Sequence, residues 1–217
     1  MKEVIIIGSG GHGAELDDYI YYNNSIQKSG GYKIIGYLDD NPDNYSSYTF
    51  SAPLLGGVKN HKVRKNAYYI MGIANLKYRQ KFVEQYLKDG ANFLSVIHAS
   101  AYISRSSKIG IGVIIGPHAN LGPNTSIGDF TVVNSRSSIG HDTVVGKYNF
   151  ISPNVCFSGF TRIGNGNLFG INCATIPEIE VGNNNKIMAG MILDRNVGDD
   201  SVVFHRYRER VIAIPKK

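Results

Sequence analysis

Two sets of residues in this 217-residue chain have types and spacings that can do chemistry. The first is a glycine loop, Gly8-Ser9-Gly10-Gly11-His12-Gly13, which follows the β-branched run Glu3–Ile7. Gly8, Gly10 and Gly13 fit G-x-G-x-x-G after a strand and before a helix, the context in which backbone N–H groups meet phosphate. Asp39 and Asp40 stand at the end of the next apolar run, where an acid can accept from a ribose or base. His12 can donate to a phosphate or a sugar. The second set is Ile139-Gly140-His141-Asp142. An outward histidine with a pKa near neutrality is the base that amine or hydroxyl acylation needs. Adjacent side chains often diverge, so Asp142 as the orienting partner of His141 stays open at this point.

The elements that must position these residues divide near residue 100. Residues 1–98 alternate strand and helix signals: Glu3–Ile7, a helix from Ala14 to about Ile26, Tyr32–Leu38, Tyr68–Ile73, a helix over Asn75–Lys88, and Phe93–Ile97. The stretch from Asn44 to about Asn66 is rich in Ser, Tyr and Gly and is expected to be mostly loop. Such alternation predicts a parallel sheet in a Rossmann-like half domain. Four strands suit one nucleotide rather than a dinucleotide, so a nucleoside diphosphate is expected at the helix N-terminus.

From Ile103 the period becomes six. Ile103, Ile109, Ile115, Leu121, Ile127, Val133, Ile139, Val145, Ile151, Phe157, Ile163, Phe169, Val181, Ile187 and Leu193 keep the phase, with Thr175 the exception. Gly follows nine of these positions, as at Gly110, Gly122 and Gly140. This is the pattern of a hexapeptide parallel β-helix, three hexads to a coil. The aliphatic residue points inward, the following Gly is expected to relieve the corner, and the fourth residue (Val113, Ala119, Thr125) is usually small or β-branched. Residues 18 apart stack at the strand spacing of about 4.8 Å. Gly159 therefore lies over His141, its N–H open to a carbonyl oxygen or oxyanion. Asn134 lies one corner away and reaches the same ligand only across a subunit interface.

Composition closes off several classes. No apolar run approaches the ~20 residues of a membrane span. The start, Met1-Lys2-Glu3, lacks the basic region of a signal peptide, so a cytoplasmic protein is expected. The net charge is +6, but Arg206, Arg208, Arg210, Lys216 and Lys217 against Glu209 supply +4 of it, and no basic stripe for nucleic acid remains. His118 and His141 are off the coil register, so no metal site is expected. Cys156 and Cys173 form no metal or nucleophile motif and are expected to be reduced core residues.

The chain resembles the bacterial hexapeptide-repeat acyltransferases of nucleotide-linked amino sugars, a group related to the sialic acid O-acetyltransferases. The resemblance spans nearly the whole chain. It rests on Ile6-Ile7-Gly8 with Gly11-His12-Gly13, on Gly36-Tyr37-Leu38-Asp39-Asp40, and on Gly72-Ile73-Ala74-Asn75 with Arg79. Val96-Ile97-His98, Asn134 through Asp142, and Gly170-Ile171-Asn172 complete it.

It implies a left-handed parallel β-helix over residues 99–195 behind the nucleotide-sugar domain of residues 1–98, with a basic tail over 196–217. It implies a homotrimer with acetyl-CoA as co-substrate. It also implies N-acetylation of a 4-amino-4,6-dideoxy sugar linked to UDP, dTDP or GDP, in the building of lipopolysaccharide or O-antigen. By position His141 would be the base and Asp142 its partner. Gly10, His12, Gly13, Asp39, Asp40, Asn75, Arg79 and Asn134 would hold the nucleotide-sugar, and Gly159, Ile171, Ala189 and Gly190 the acetyl-CoA.

The alternatives are O-acetylation of a sialic acid or polysaccharide hydroxyl, an NAD-dependent oxidoreductase, and a purely structural solenoid. Two departures are visible. His98-Ala99 replaces a usual His-Pro, and Phe204–Arg210 stands where such proteins often carry Gly-Val-Pro-Ala-Lys.

Overall fold

The computed structural model describes residues 1–26 and 31–205. Of the basic tail expected over 196–217, residues 196–205 are described and still wind with the solenoid, Val202–Val203 pairing with Lys186–Ile187, while those from Arg206 onward lie outside the described residues. The N-terminal part has five parallel strands: β1 (Lys2–Ile7), β2 (Tyr32–Leu38), β3 (Leu54–Gly56), β4 (Tyr68–Met71) and β5 (Asn92–Phe93), in the order β3-β2-β1-β4-β5. Helices α1 (Gly11–Ile26) and α3 (Leu76–Lys88) lie on opposite faces. From Val4 to Ile7 β1 is apolar and buried because both its faces are covered. Val4 and Ile6 pack with Leu16 and Ile20 of α1, while Ile5 and Ile7 pack with Phe82, Val83 and Tyr86 of α3.

Two expectations are adjusted here. The region 44–66 is mostly loop, as expected, but not entirely. A short helix, α2 (Pro42–Ser46), starts where the Asn41 side chain accepts from the Asp43 N–H, and β3 pairs along β2 through Tyr37 and Leu54. That pairing partner is long-range, so local composition hides it. The run Phe93–Ile97 is not one strand either. Asn92–Phe93 closes the first sheet, whereas Val96–Ile97 already pairs with Ile114–Ile115 of the solenoid.

From Val96 to Val203 the chain winds as a left-handed parallel β-helix of two-residue strands on three faces. The docking face carries Val96–Ile97, Ile114–Ile115, Val132–Val133, Phe150–Ile151, Leu168–Phe169, Lys186–Ile187 and Val202–Val203. The middle face runs from Tyr102–Ile103 through Ser138–Ile139 and Cys156–Phe157 to Ile192–Leu193. The third face runs from Lys108–Ile109 through Val144–Val145 to Glu180–Val181. Residues 18 apart pair, as in Ser138 with Cys156, until the last coil, where the spacing shortens to 16, as in Lys186 with Val202. The hexad residues stack into one buried column, with Ile115, Leu121, Val133, Ile139, Ile151, Phe157 and Phe169 fully enclosed. Cys173 lies inside, but Cys156 is exposed. It precedes the inward Phe157, and strand alternation turns it outward.

The glycines after the hexad residues have a different task from the one expected. They do not take the left-handed backbone; the third residue after the hexad position does. His118, Asn124, Phe130, Arg136, Asp142, Tyr148, Asn154, Phe160, Asn172, Glu178 and Asn184 have φ between 56° and 64°. The glycine is needed for close approach of coils. A Cβ on Gly140 would stand 2.7 Å from the Gly159 N and the Ser158 carbonyl carbon.

The two parts share their packing. Val96, Ile114, Val132 and Phe150, pointing out from the docking face, belong to the same apolar cluster as Val4, Ile6, Leu16 and Ile20. Asn23 of α1 clamps the seam with both ends of its amide. Its Nδ2 donates to the Ile97 carbonyl at 2.8 Å, and its Oδ1 accepts from the Ala99 N–H at 2.8 Å.

Candidate active site

The corner between the middle and third faces holds His141. Its backbone is fixed from both neighbouring coils: the Phe160 N–H donates to the His141 carbonyl at 3.0 Å, and the Asp142 N–H to the Pro123 carbonyl at 2.8 Å. The imidazole Nδ1 lies 2.9 Å from Asp142 Oδ2. A carboxylate only accepts, so Nδ1 carries the hydrogen and Nε2 presents a lone pair. Asp142 is thus the orienting partner of His141. Its left-handed conformation (φ 57°) turns the carboxylate back toward the ring.

Its other oxygen, Oδ1, accepts at 3.0 Å from Nδ2 of Asn124, one coil below. The His141 imidazole and the Asn124 amide together hold the Asp142 carboxyl below its usual range. Asn124 is a site residue that the sequence reading missed, although the 18-residue column that places Gly159 also places Asn124 under Asp142.

Gly159 leaves the space the ring occupies. A Cβ there would be 2.8 Å from His141 Cε1 and Nε2. Phe160 packs edge-on to the ring at 5.1 Å. Along this corner the equivalent positions one coil below His141 and one coil above Gly159 are Pro123 and Pro177, which have no N–H. Among the described residues the Gly159 N–H has no protein acceptor.

Asn134, Ile171, Ala189 and Gly190 share the other edge of the middle face, the corner it makes with the docking face. Asn134 is largely buried; its Oδ1 accepts from the Ser135 N–H at 2.8 Å, which leaves Nδ2 free to donate. Ile171, Ala189 and Gly190 are exposed, and the Ile171 and Ala189 N–H groups have no protein acceptor among the described residues. One chain therefore carries two polar columns, separated by the width of the middle face.

At the carboxyl ends of the first sheet, between β1 and β4, lies the glycine loop. Gly8 has φ 100°, and a Cβ on Gly13 would collide with the Gly8 carbonyl, so α1 starts hard against the strand end. Gly10 has open space above it. Asp39 has a different role from the one expected. Its Oδ2 accepts from the Ser9 N–H (2.8 Å) and Oγ (3.1 Å), and its Oδ1 from the Asn41 N–H and Asn44 Nδ2. With both oxygens engaged, it braces the loop instead of offering itself to a ribose.

Asp40 lines a neighbouring cleft of about 300 Å³ with Asp39, Asn44, Lys59, Ile73 and Tyr78. Burial pushes the Asp40 carboxyl up, but the Lys59 ammonium, at 3.1 Å, and the Lys59 N–H outweigh that and hold it below its usual range.

His12 is buried on α1, edge-on to Phe150 of the docking face. Its Nδ1 bonds Glu15 at 3.0 Å, and its Nε2 is buried with no partner. Burial lowers its pKa, against the pull of Glu15, so the ring is held neutral with Nε2 as an acceptor. The expectation that His12 donates to a phosphate is therefore replaced: it can accept from a hydroxyl or an amine.

Asn75 caps α3, its Oδ1 accepting from the Tyr78 N–H at 3.4 Å. Arg79 is not at an open site. It is fully buried and donates to the Met71, Ile73 and Phe130 carbonyls, tying β4 to a solenoid corner. Burial pulls its pKa down to about 9, still above neutrality, and its Nη2 has no partner. Among the described residues no three His, Cys, Asp or Glu side chains cluster as metal ligands, and no helix is long and apolar enough to cross a membrane.

Fold and site together define a hexapeptide-repeat parallel β-helix joined to a half Rossmann domain. Comparison with known proteins finds chains of the same fold. Residues 3–86 match the family model described as the PglD N-terminal domain. A stretch of 117 residues is 24% identical to the UDP-N-acetylbacillosamine N-acetyltransferase of Bacillus subtilis (strain 168), covering 53% of this chain. It spans about half the length of that curated relative, 51%.

Among solved structures, the acetyltransferase domain of PglB from Neisseria gonorrhoeae FA1090, in complex with acetyl coenzyme A, superposes with a TM-score of 0.83. It is 22% identical, over 93% of this chain and 95% of that one. PerB from Caulobacter crescentus, in complex with CoA and GDP-perosamine, gives a TM-score of 0.81 at 20% identity, over 93% of each chain.

Proposed function

We propose that this chain is an acetyl-CoA-dependent N-acetyltransferase acting on the 4-amino group of a nucleotide-linked 4-amino-4,6-dideoxy sugar. The observation that carries the proposal is the His141 corner: an exposed imidazole with Nδ1 on a carboxylate, Nε2 free, and a side-chain-free Gly159 against it. The relatives named above, one named for N-acetylbacillosamine and one bound to GDP-perosamine, support the choice of substrate class.

The reaction is direct transfer. The neutral amine attacks the thioester carbonyl, forming the C–N bond, while Nε2 of His141 takes the proton lost by nitrogen. The Gly159 N–H donates to the oxyanion. The C–S bond then breaks, and the sulfur leaves as CoA thiol with the proton that His141 returns. Holding both substrates in one groove supplies the effective concentration, and no acyl-enzyme is required. The exposed Ile171 and Ala189 N–H groups, with no Cβ at Gly190, suit the amides of the pantetheine arm. The Gly10–Gly13 loop and the Asp40 cleft suit a nucleoside diphosphate.

The two polar columns stand at opposite edges of the middle face. The proposed assembly is therefore a homotrimer in which the Asn134–Ala189 corner of one copy meets the His141 corner of the next. Asn134 Nδ2 and His12 Nε2 then serve as donor and acceptor to the sugar. The setting is the cytoplasm, where sugar nucleotides for surface glycans are made.

The test is a thermal-shift panel with acetyl-CoA, UDP, dTDP, GDP and NAD, since a ligand of the folded state raises the melting temperature. Shifts with acetyl-CoA and one nucleoside diphosphate are expected and name the base. A shift with acetyl-CoA alone moves the assignment to O-acetylation, and a shift with NAD alone overturns it.

A further inference from the structure

Asn124 does not border the reacting atoms, yet it completes a chain of hydrogen bonds that ends on His141. Its Nδ2 donates to Asp142 Oδ1 at 3.0 Å, while Asp142 Oδ2 faces His141 Nδ1 at 2.9 Å. The three residues belong to one corner column, in which Asn124 and Asp142 both have φ 57° and lie one coil apart. Asn124 is itself anchored from below, its backbone N–H donating to Ser106 Oγ at 2.9 Å. An aspartate with one bonded oxygen can swing about its side-chain torsions. With Asn124 on the second oxygen its plane is fixed, and so is the ring that donates to it. The amide is a pure donor toward Asp142, so it selects the ionised carboxylate and leaves Nδ1 of His141 as the protonated nitrogen.

We infer that Asn124 is a positioning residue for the transfer, acting on His141 only through Asp142. The inference rests on the proposed base role of His141. The coil register carries it independently: the 18-residue period sets an amide donor beneath the carboxylate, in a column whose other left-handed members include Phe160 and Glu178, neither of which donates from its side chain.

The test uses Asn124→Gly, which removes the amide while keeping a residue at ease in the left-handed region, and Asn124→Asp, which keeps the shape but can no longer donate when ionised. Both should lower kcat by roughly 10–100-fold with KM for either substrate unchanged. In an Asp142→Ala background Asn124→Gly should cause no further loss, because the path is already cut.

The second readout does not depend on turnover. In 15N-histidine-labelled protein, at a pH where the imidazole is neutral, His141 should be the Nδ1–H tautomer. Asn124→Gly should move it toward the mixture seen in Asp142→Ala. An unchanged tautomer in Asn124→Gly, or a rate loss of the same size with and without Asp142, overturns the inference. Absence of acetyl transfer in the native chain would instead remove the proposed function and leave the tautomer comparison to decide this point.

Discussion

A Cβ built on Gly159 stands 2.8 Å from both Cε1 and Nε2 of His141, so the position of the imidazole depends on a side chain that is not there. Gly159 does not have a left-handed backbone, and alanine is compatible with its conformation. Gly159→Ala should therefore leave the fold intact and push the imidazole off its bond to Asp142. Turnover is expected to fall about 100-fold, the scale of a displaced acid–base group, with the melting temperature within a few degrees of native. Assays of kcat beside a thermal melt check this, and full activity in the alanine variant would show that the ring does not need the gap.

Arg79 gives a prediction about the seam rather than the chemistry. Replacing it by Met removes three donors from the Met71, Ile73 and Phe130 carbonyls. Buried acceptors left unpaired cost about 1–3 kcal/mol each before relaxation. Chemical denaturation should show a loss of at least 3 kcal/mol, with the seam between β4 and the solenoid the first part to exchange its amide hydrogens. A variant as stable as native would mean that the bonds are replaceable by water.

The acid side of the stability profile follows from buried histidines. Burial lowers the pKa of His12, His61 and His98 from 6.5. The unfolded chain therefore binds protons first as pH falls below 6.5, and stability present above that value is lost on acidification. The melting temperature should decline from pH 7 to pH 5. His12→Gln should show a shallower decline, whereas an identical slope would show that His12 is not kept neutral by the fold.

Much of this was legible in the residues, for a physical reason. The inward Ile139, Phe157 and Phe169 repeat because each coil buries its core only against its neighbours, and the same period placed Gly159 over His141. What the period cannot show is side-chain direction. It does not reveal that Asp142 folds back onto His141, or that both oxygens of Asp39 are occupied by Ser9, Asn41 and Asn44. Arg79 carries charge in the sequence and so suggests a ligand contact, but its partners are backbone carbonyls, two nearby at Met71 and Ile73 and one 51 residues on at Phe130. β3 was hidden because a three-residue edge strand draws its order from Tyr37 rather than from its own composition.

The central claim is that His141 accepts the proton of a sugar amine as acetyl leaves CoA. The most direct measurement is release of free CoA thiol from acetyl-CoA, with a nucleotide-linked 4-amino sugar as acceptor, by the native chain and by His141→Ala. The His141 side chain is exposed in the single chain, so the variant should fold as native does, and its assembly is measured beside the rate. The account predicts acceptor-dependent release by the native chain and a rate lower by roughly 10²–10⁴ in the variant. Equal rates in the two proteins, or no acceptor-dependent release by the native one, would contradict it.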